Sequence, residues 1–292
     1  MIVSTTSEMQ KHLLSFNLKT ERPDENRFVS FLKRAQEWVT EHIISEDIEE
    51  ILEIDITIGQ TDPHAKLREL TGRVISELAY LTSIAESDLQ RSEAGFVVQN
   101  NDKMSPASLQ RVERLIQSLN ERINSDCDSL VNYLMKNSVP HENEPHLPYE
   151  DWRDTPQFEF LTDAFIPTMA IMRQNASTMP VQRWTDFYDL LPKMNIALRS
   201  TVARYVSIEQ IDALLSDYRT DELQEIQKKV LRWLRMAVLG EVTNADNATR
   251  FAIEARNYML QHESAFPEFV ASDCYELPSP FSLGDGTVAN LL

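Results

Sequence analysis

The segment HENEPH places His141, Glu142, Glu144 and His146 close together, and each is a type that can ligate a divalent metal. A zinc-binding helix of the HExxH kind needs its two histidines one helical turn apart, with the glutamate beside the first. Here the histidines are a residue too far apart and Pro145 stands between them, which bars the helix that would converge them. The segment therefore reads as a site of adventitious metal contact, and no metal or other cofactor is expected. The acidic series Glu46, Asp47, Glu49, Glu50, Glu53 and Asp55 lacks the alternating oxygen ligands and the glycine of a calcium loop. It reads as a solvated helix face. Lys228, Lys229, Arg232 and Arg235 form a basic cluster at helical spacing, with Glu222 and Glu225 a turn away to balance it on a solvent face. His42 falls on an apolar stripe, where a histidine is ordinarily half-buried and hydrogen-bonded. The patterns GxSxG, GxxxxGK[ST], GxGxxG and clustered Cys/His do not occur. Two carboxylates brought together by folding need not be neighbours in sequence, so acid–base chemistry by scattered Asp and Glu stays open.

The elements that would position these residues are helical. Of the 292 residues only six are glycine, which disfavours phosphate-cradling loops and β-rich topologies. Twenty-eight basic residues against 46 acidic ones leave a formal charge of −18. Such a surface repels phosphate backbones, so general nucleic-acid binding is disfavoured unless a local basic patch escapes the average. Cys127 and Cys274 stand far apart without metal or redox spacing and are expected to be reduced, Cys127 as a small apolar residue on a helix. MIVSTTSEMQKHLLSF has no basic start followed by an apolar core, and no run approaches the ~18 apolar residues of a membrane span, so a cytoplasmic protein is expected.

Phe28, Phe31, Leu32, Ala35, Trp38, Val39, His42 and Ile43 recur at steps of three and four and predict one helix. Asp62 as N-cap and Pro63 predict the start of a second, striped by Leu67, Leu70, Val74, Ile75 and Leu78. Ser105-Pro106 repeats that start signal before a long helix carrying Leu109, Val112, Leu115, Ile116, Leu119, Ile123, Leu130, Val131 and Leu134. Residues 137 to 156 then gather Pro140, Pro145, Pro148 and Pro156 among acidic residues, which predicts a linker. Helical spacing resumes after Pro180 and continues through Leu223, Ile226, Val230, Leu231 and Leu234 to a C-cap at Gly240. A last helix runs through Phe251, Ala252, Ala255, Tyr258 and Met259. Trp38, Trp152, Trp184 and Trp233 are expected as core or interface anchors.

The expected fold class is mainly all-α, in two consecutive antiparallel helical-bundle units. The first unit spans 1–138, a Pro-rich acidic linker 139–183, the second unit 184–276 and a tail 277–292. The halves invite comparison as a duplication. Leu67, Leu70, Val74, Ile75, Leu78 and Leu223, Ile226, Val230, Leu231, Leu234 share their steps, and each set follows a long helix and a short segment, SEDIEEIL or SIEQIDALL. They differ at SEAGFVVQNN, where Phe96, Val97 and Val98 form a strand-like hook inside a small β-hairpin or strand insert near 92–104. A strand from 157–172 is a candidate partner for Phe96–Gln99. Phe96, Val97 and Val98 of the hook, with Phe281 and Leu283 of the tail, lie outside the helical stripes and are the candidate interaction residues.

The blocks FVSFLKRAQEWVTEHI, ELAYLTSI, SEAGFVVQNNDKMSPASLQRVERL, SLVNYLMKN, YEDWRDTPQFEFLTDAF, FYDLLPKMNIALRSTVARYVSIEQIDALL and SAFPEFVASDCY carry a resemblance. In this order, from about residue 25 to 276, they look like a family of uncharacterised phage and prophage structural proteins. The half-unit is also similar, more loosely, to the small all-α head–tail connector or head-completion proteins of tailed phages, of which this chain has about twice the size. The resemblance implies a non-enzymatic virion assembly protein. Its partners would be portal, capsid or tail components, or further copies of itself, with no small-molecule substrate, no sequence-specific nucleic acid and no membrane. It would be cytoplasmic when made, with the virion as a further location. The alternatives are an accessory helical protein-binding module of a mobile element and, third, a metal-dependent hydrolase.

Overall fold

The computed structural model describes residues 1–13, 25–54, 62–87, 90–92, 95–97, 109–138, 149–245 and 248–276. The fold is all-α, as expected, with one pair of very short strands among the described residues. The chain divides into two compact units: residues 1–159 with 182–188, and residues 160–181 with 189–292.

In the first unit, α1 (Thr6–His12), α2 (Glu25–Val39), α3 (Glu46–Glu53), α4 (Ala65–Ser87) and α5 (Leu109–Asn137) follow in order. Helix α4 packs against α1, α2 and α5, so it is the central helix. Its expected stripe, Leu67, Leu70, Val74, Ile75 and Leu78, is buried, and Thr71, Ser76, Glu77 and Ala79 are buried too, as a helix covered by neighbours on several sides requires. Removing one such leucine costs about 2–5 kcal/mol in transfer and cavity terms. Helix α4 begins at Ala65, slightly later than Asp62 and Pro63 imply, although the Asp62 carboxylate accepts from the His64 amide at 2.8 Å. Along α5 the stripe is buried only from Leu119 onward, and Leu109 is 74% exposed.

Between α4 and α5, β1 (Gln90–Ser92) and β2 (Gly95–Val97) pair antiparallel, with Arg91 opposite Phe96. The pairing is local. Residues 157–172 supply no strand, because they lie largely in α6 (Pro156–Thr162) and α7 (Met169–Asn175), which corrects the expected joint between halves. Val98, Phe281 and Leu283 lie outside the described residues, as do HENEPH and the tail from 277. Only the backbone is described at Phe96 and Val97.

The expected linker is also corrected. A 3₁₀ turn at Glu150–Asp154, α6 and α7 occupy its second half, and Trp152, Phe158, Phe165, Met169 and Met172 are buried there. Proline misled because Pro156 occupies the first position of a helix, where its missing amide hydrogen costs nothing.

The second unit holds most of α8 (Trp184–Ala197), then α9 (Ala203–Val206), α10 (Ile208–Thr220), α11 (Glu225–Val242), α12 (Ala248–Gln261) and α13 (Pro267–Val270). Helix α11 is central here and packs on α7 and α12. Gly240 is not its C-cap but lies inside it. A β-carbon there would fall 2.9 Å from Ala248 Cα, so glycine is what lets α11 and α12 approach. The turn comes later, at Asn244 with φ 51°.

The two units repeat one local device. In each, the entry helix loosens into a π turn, Thr40–Ile44 or Leu198–Val202. Each then reaches a serine held at positive φ, Ser45 (φ 96°, ψ 159°) or Ser207 (φ 67°, ψ 155°), from which a new helix starts. Backbone in that region costs a non-glycine residue about 1–3 kcal/mol and persists only where the surroundings enforce it.

Candidate functional site

A groove of about 660 Å³ opens on the first of these corners, within the first unit. The π turn explains its architecture. The Ser45 amide reaches back to the Thr40 carbonyl at 3.2 Å, so the helical ladder slips by one residue and leaves carbonyls for other donors. The indole Nε1 of buried Trp152 donates to the Ile43 carbonyl at 2.7 Å. The Gln157 amide nitrogen donates to the Thr40 and Glu41 carbonyls, both at 3.3 Å. These bonds pin residues 152–157 against the π turn, and the space between the two segments is the groove. Thr155 completes that wall by capping α6, its hydroxyl accepting from the Phe158 amide at 3.3 Å.

The lining is acidic. Glu37, Glu41, Glu46, Asp47, Glu49 and Asp154 surround it, with no lysine or arginine among the lining residues. Gln36 donates to Glu49 from behind, and Lys33 meets Glu37 loosely at 3.8 Å. Among the described residues no ion pair engages Glu46, Asp47 or Asp154. Three further polar atoms of the lining are buried and without hydrogen-bond partners: Thr40 Oγ1, Ser45 Oγ and Gln157 Oε1. The solvated acidic face expected for Glu46 and Asp47 is thus one side of a groove.

At the second corner, a groove of about 460 Å³ is lined by Ser207, Glu209, Glu268, Asp273 and Cys274 among others. Its serine is satisfied, the Ser207 hydroxyl accepting from the Gln210 amide at 3.1 Å. Cys274 and Cys127 are both free, and burial pushes the Cys127 thiol well up, which keeps it a protonated, apolar group.

Elsewhere in the first unit, α4 and α5 bring Glu77 and Asp126 together beside a cavity of about 270 Å³ lined also by Lys11, His12, Arg73 and Arg122. Glu77 is 3% exposed. Its pKa is raised to about 7, first by burial and then by the charge of Asp126. Arg122 Nε approaches Glu77 Oε1 at 3.5 Å, and Arg73 lies 4.0 Å from Asp126. Burial raises the Asp126 pKa as well, against the pull of Arg73. The same burial lowers the pKa of His12. Sequence reasoning left such a pair open without naming it, since nothing in the spacing of residues 77 and 126 marks it. Its one trace is a glutamate set within the Val74, Ile75, Leu78 stripe.

His42 behaves as expected, with Nδ1 2.8 Å from the Trp38 carbonyl and its ring stacked on Trp38 and against Tyr188. Trp184 is buried, its Nε1 donating to Asp128 at 2.9 Å. The basic cluster of α11 separates: Lys228 pairs with Glu225 at 2.8 Å, while Arg235 is half-buried and donates to the Phe165 carbonyl at 2.6 Å. Among the described residues no three His, Cys, Asp or Glu side chains gather as metal ligands, and no helix is long and apolar enough to cross a membrane.

Residues 28–159 match the model of DUF6712, a family of unknown function. The match ends at Glu159, where the first continuous segment of the first unit also ends. It takes in the π-turn corner, the acidic groove and the Glu77–Asp126 pair. No curated protein and no solved structure matches the chain.

Proposed function

We propose that the protein is a non-enzymatic virion assembly protein of a phage or prophage, resembling head–tail connectors and acting through protein–protein contacts. One observation carries the reading: each unit has a groove lined by a strained serine, Ser45 or Ser207, that follows a π turn. Strain of that kind is retained where it shapes a surface, and a grooved corner presented twice suits a protein that joins neighbours. The phage setting rests on the resemblance of the ordered sequence blocks. The strongly acidic charge would keep DNA from adhering to surfaces it passes.

Light scattering of the purified protein, alone and mixed with portal, capsid or tail components, tests this proposal. A defined oligomer or a stable mixed complex is expected. A monomer in every mixture would overturn it.

A further inference from the structure

We infer that the groove of the first unit is a binding site for a cationic side chain, the guanidinium or ammonium of an arginine or lysine from a partner polypeptide. That the guest belongs to a polypeptide rests on the assembly reading. That it is a cation rests on the groove itself.

The argument is one of unmet acceptors. Thr40 and Ser45 are 6% and 7% exposed, line the groove, and leave their hydroxyl oxygens without partners. A buried polar atom left unmade costs about 1–3 kcal/mol, so two adjoining ones at a groove point to something that completes them. The corner of the second unit makes the contrast. Ser207 spends its hydroxyl on capping α10, whereas Ser45 makes no side-chain cap to α3. Gln157 adds a third acceptor. Its amide nitrogen is committed to the Thr40 and Glu41 carbonyls, which turns its oxygen into the leftover atom. The two hydroxyls can accept or donate, whereas the Gln157 amide oxygen and the carboxylates of Glu46, Asp47 and Asp154 only accept, and these set the polarity of the guest. The fitting guest therefore donates at every edge and carries positive charge, as guanidinium and ammonium groups do. Among the described residues the carboxylates are not gathered in threes around one point, as a metal ion would need, which favours an organic cation.

The test is fluorescence anisotropy of a labelled peptide of about ten residues containing two arginines, at about 0.1 M salt so that diffuse attraction to the acidic surface is screened. Parallel peptides carry lysine or citrulline, the neutral isostere of arginine, and spermidine and Mg²⁺ serve as competitors. The arginine peptide is expected to bind and the citrulline peptide to fail. Glu46→Gln with Asp47→Asn should weaken binding about tenfold or more, and Thr40→Val several-fold, because charge-assisted bonds are lost. Glu222→Gln with Glu225→Gln removes the same charge from the second unit and should leave affinity within about twofold. Equal losses in that control, binding of the citrulline peptide, or no binding would overturn the site. Stronger competition by Mg²⁺ than by spermidine would also overturn it, in favour of a metal. Thermal melting of each variant shows that it is folded. Groove-specific peptide binding without any assembly would remove the assembly reading alone, while assembly with no peptide binding would remove this site alone.

Discussion

Replacing Glu77 by glutamine puts the buried carboxyl pair to a quantitative test. In the folded protein Glu77 titrates at about 7, against an ordinary value of 4.5. A raised acid pKa means that the native state holds its proton more tightly than the unfolded chain. Its contribution is fully present below the unfolded value and is lost as pH rises through the folded one. At about 1.4 kcal/mol per pH unit, the gap from 4.5 to about 7 corresponds to about 3 kcal/mol of stability lost between about pH 4.5 and pH 8. Asp126, also raised, steepens the acid end of that slope. The value of about 7 already includes the opposing pull of Arg122 and Arg73, so about 3 kcal/mol is the net effect expected. Glutamine reproduces the protonated form, neutral and able to donate to Asp126. Chemical denaturation of both proteins across this pH range measures the difference. The wild-type curve should fall toward pH 8 by about 2–3 kcal/mol more than that of Glu77→Gln, which should gain stability at the alkaline end. Parallel curves would refute the reasoning and show that the carboxyl is hydrated or fully compensated by Arg122.

Gly240→Ala should lower the melting temperature, because a β-carbon 2.9 Å from Ala248 Cα forces α11 and α12 apart. The expected cost is about 1–3 kcal/mol despite alanine's better helix propensity, and a rise in Tm would contradict it. Trp152→Phe keeps most of the buried ring but leaves the Ile43 carbonyl without its 2.7 Å donor. A loss of about 1–3 kcal/mol by denaturation is expected. Ser207→Ala should cost about 1 kcal/mol through the lost cap, which urea denaturation reads directly. Ser45→Gly should instead stabilise the protein, by up to about 1–3 kcal/mol of relieved strain, while weakening the basic peptide, and melting together with anisotropy checks both directions.

The helices were legible where one face alone is apolar. The stripes of α2, α4 and α11 could be read as spacing because burial selects their residues one turn at a time. The front of α5 could not, since Leu109 through Ile116 keep that spacing but leave Leu109 solvent-exposed. Residues 149–175 read as a linker in the sequence because proline marks both linkers and helix starts, and only the burial of Trp152 and Phe158 separates the two. The candidate site was half visible. Glu46 and Asp47 stood out as an acidic run, but the π turn that makes them one wall of a groove has no signature in the chain. It depends on Trp152 and Gln157, more than a hundred residues away, taking its carbonyls. Ser45 and Ser207 could be paired by the likeness of SEDIEEIL and SIEQIDALL, yet which hydroxyl is used and which is left open follows from three-dimensional contacts alone.

Sedimentation velocity of the protein mixed with purified portal, capsid or tail proteins, comparing wild type with the Glu46→Gln, Asp47→Asn variant, meets the central claim most directly. The account predicts a faster-sedimenting complex that forms with wild type and dissociates at lower salt in the variant. A single slow species in every mixture, unchanged by the substitutions, would contradict it.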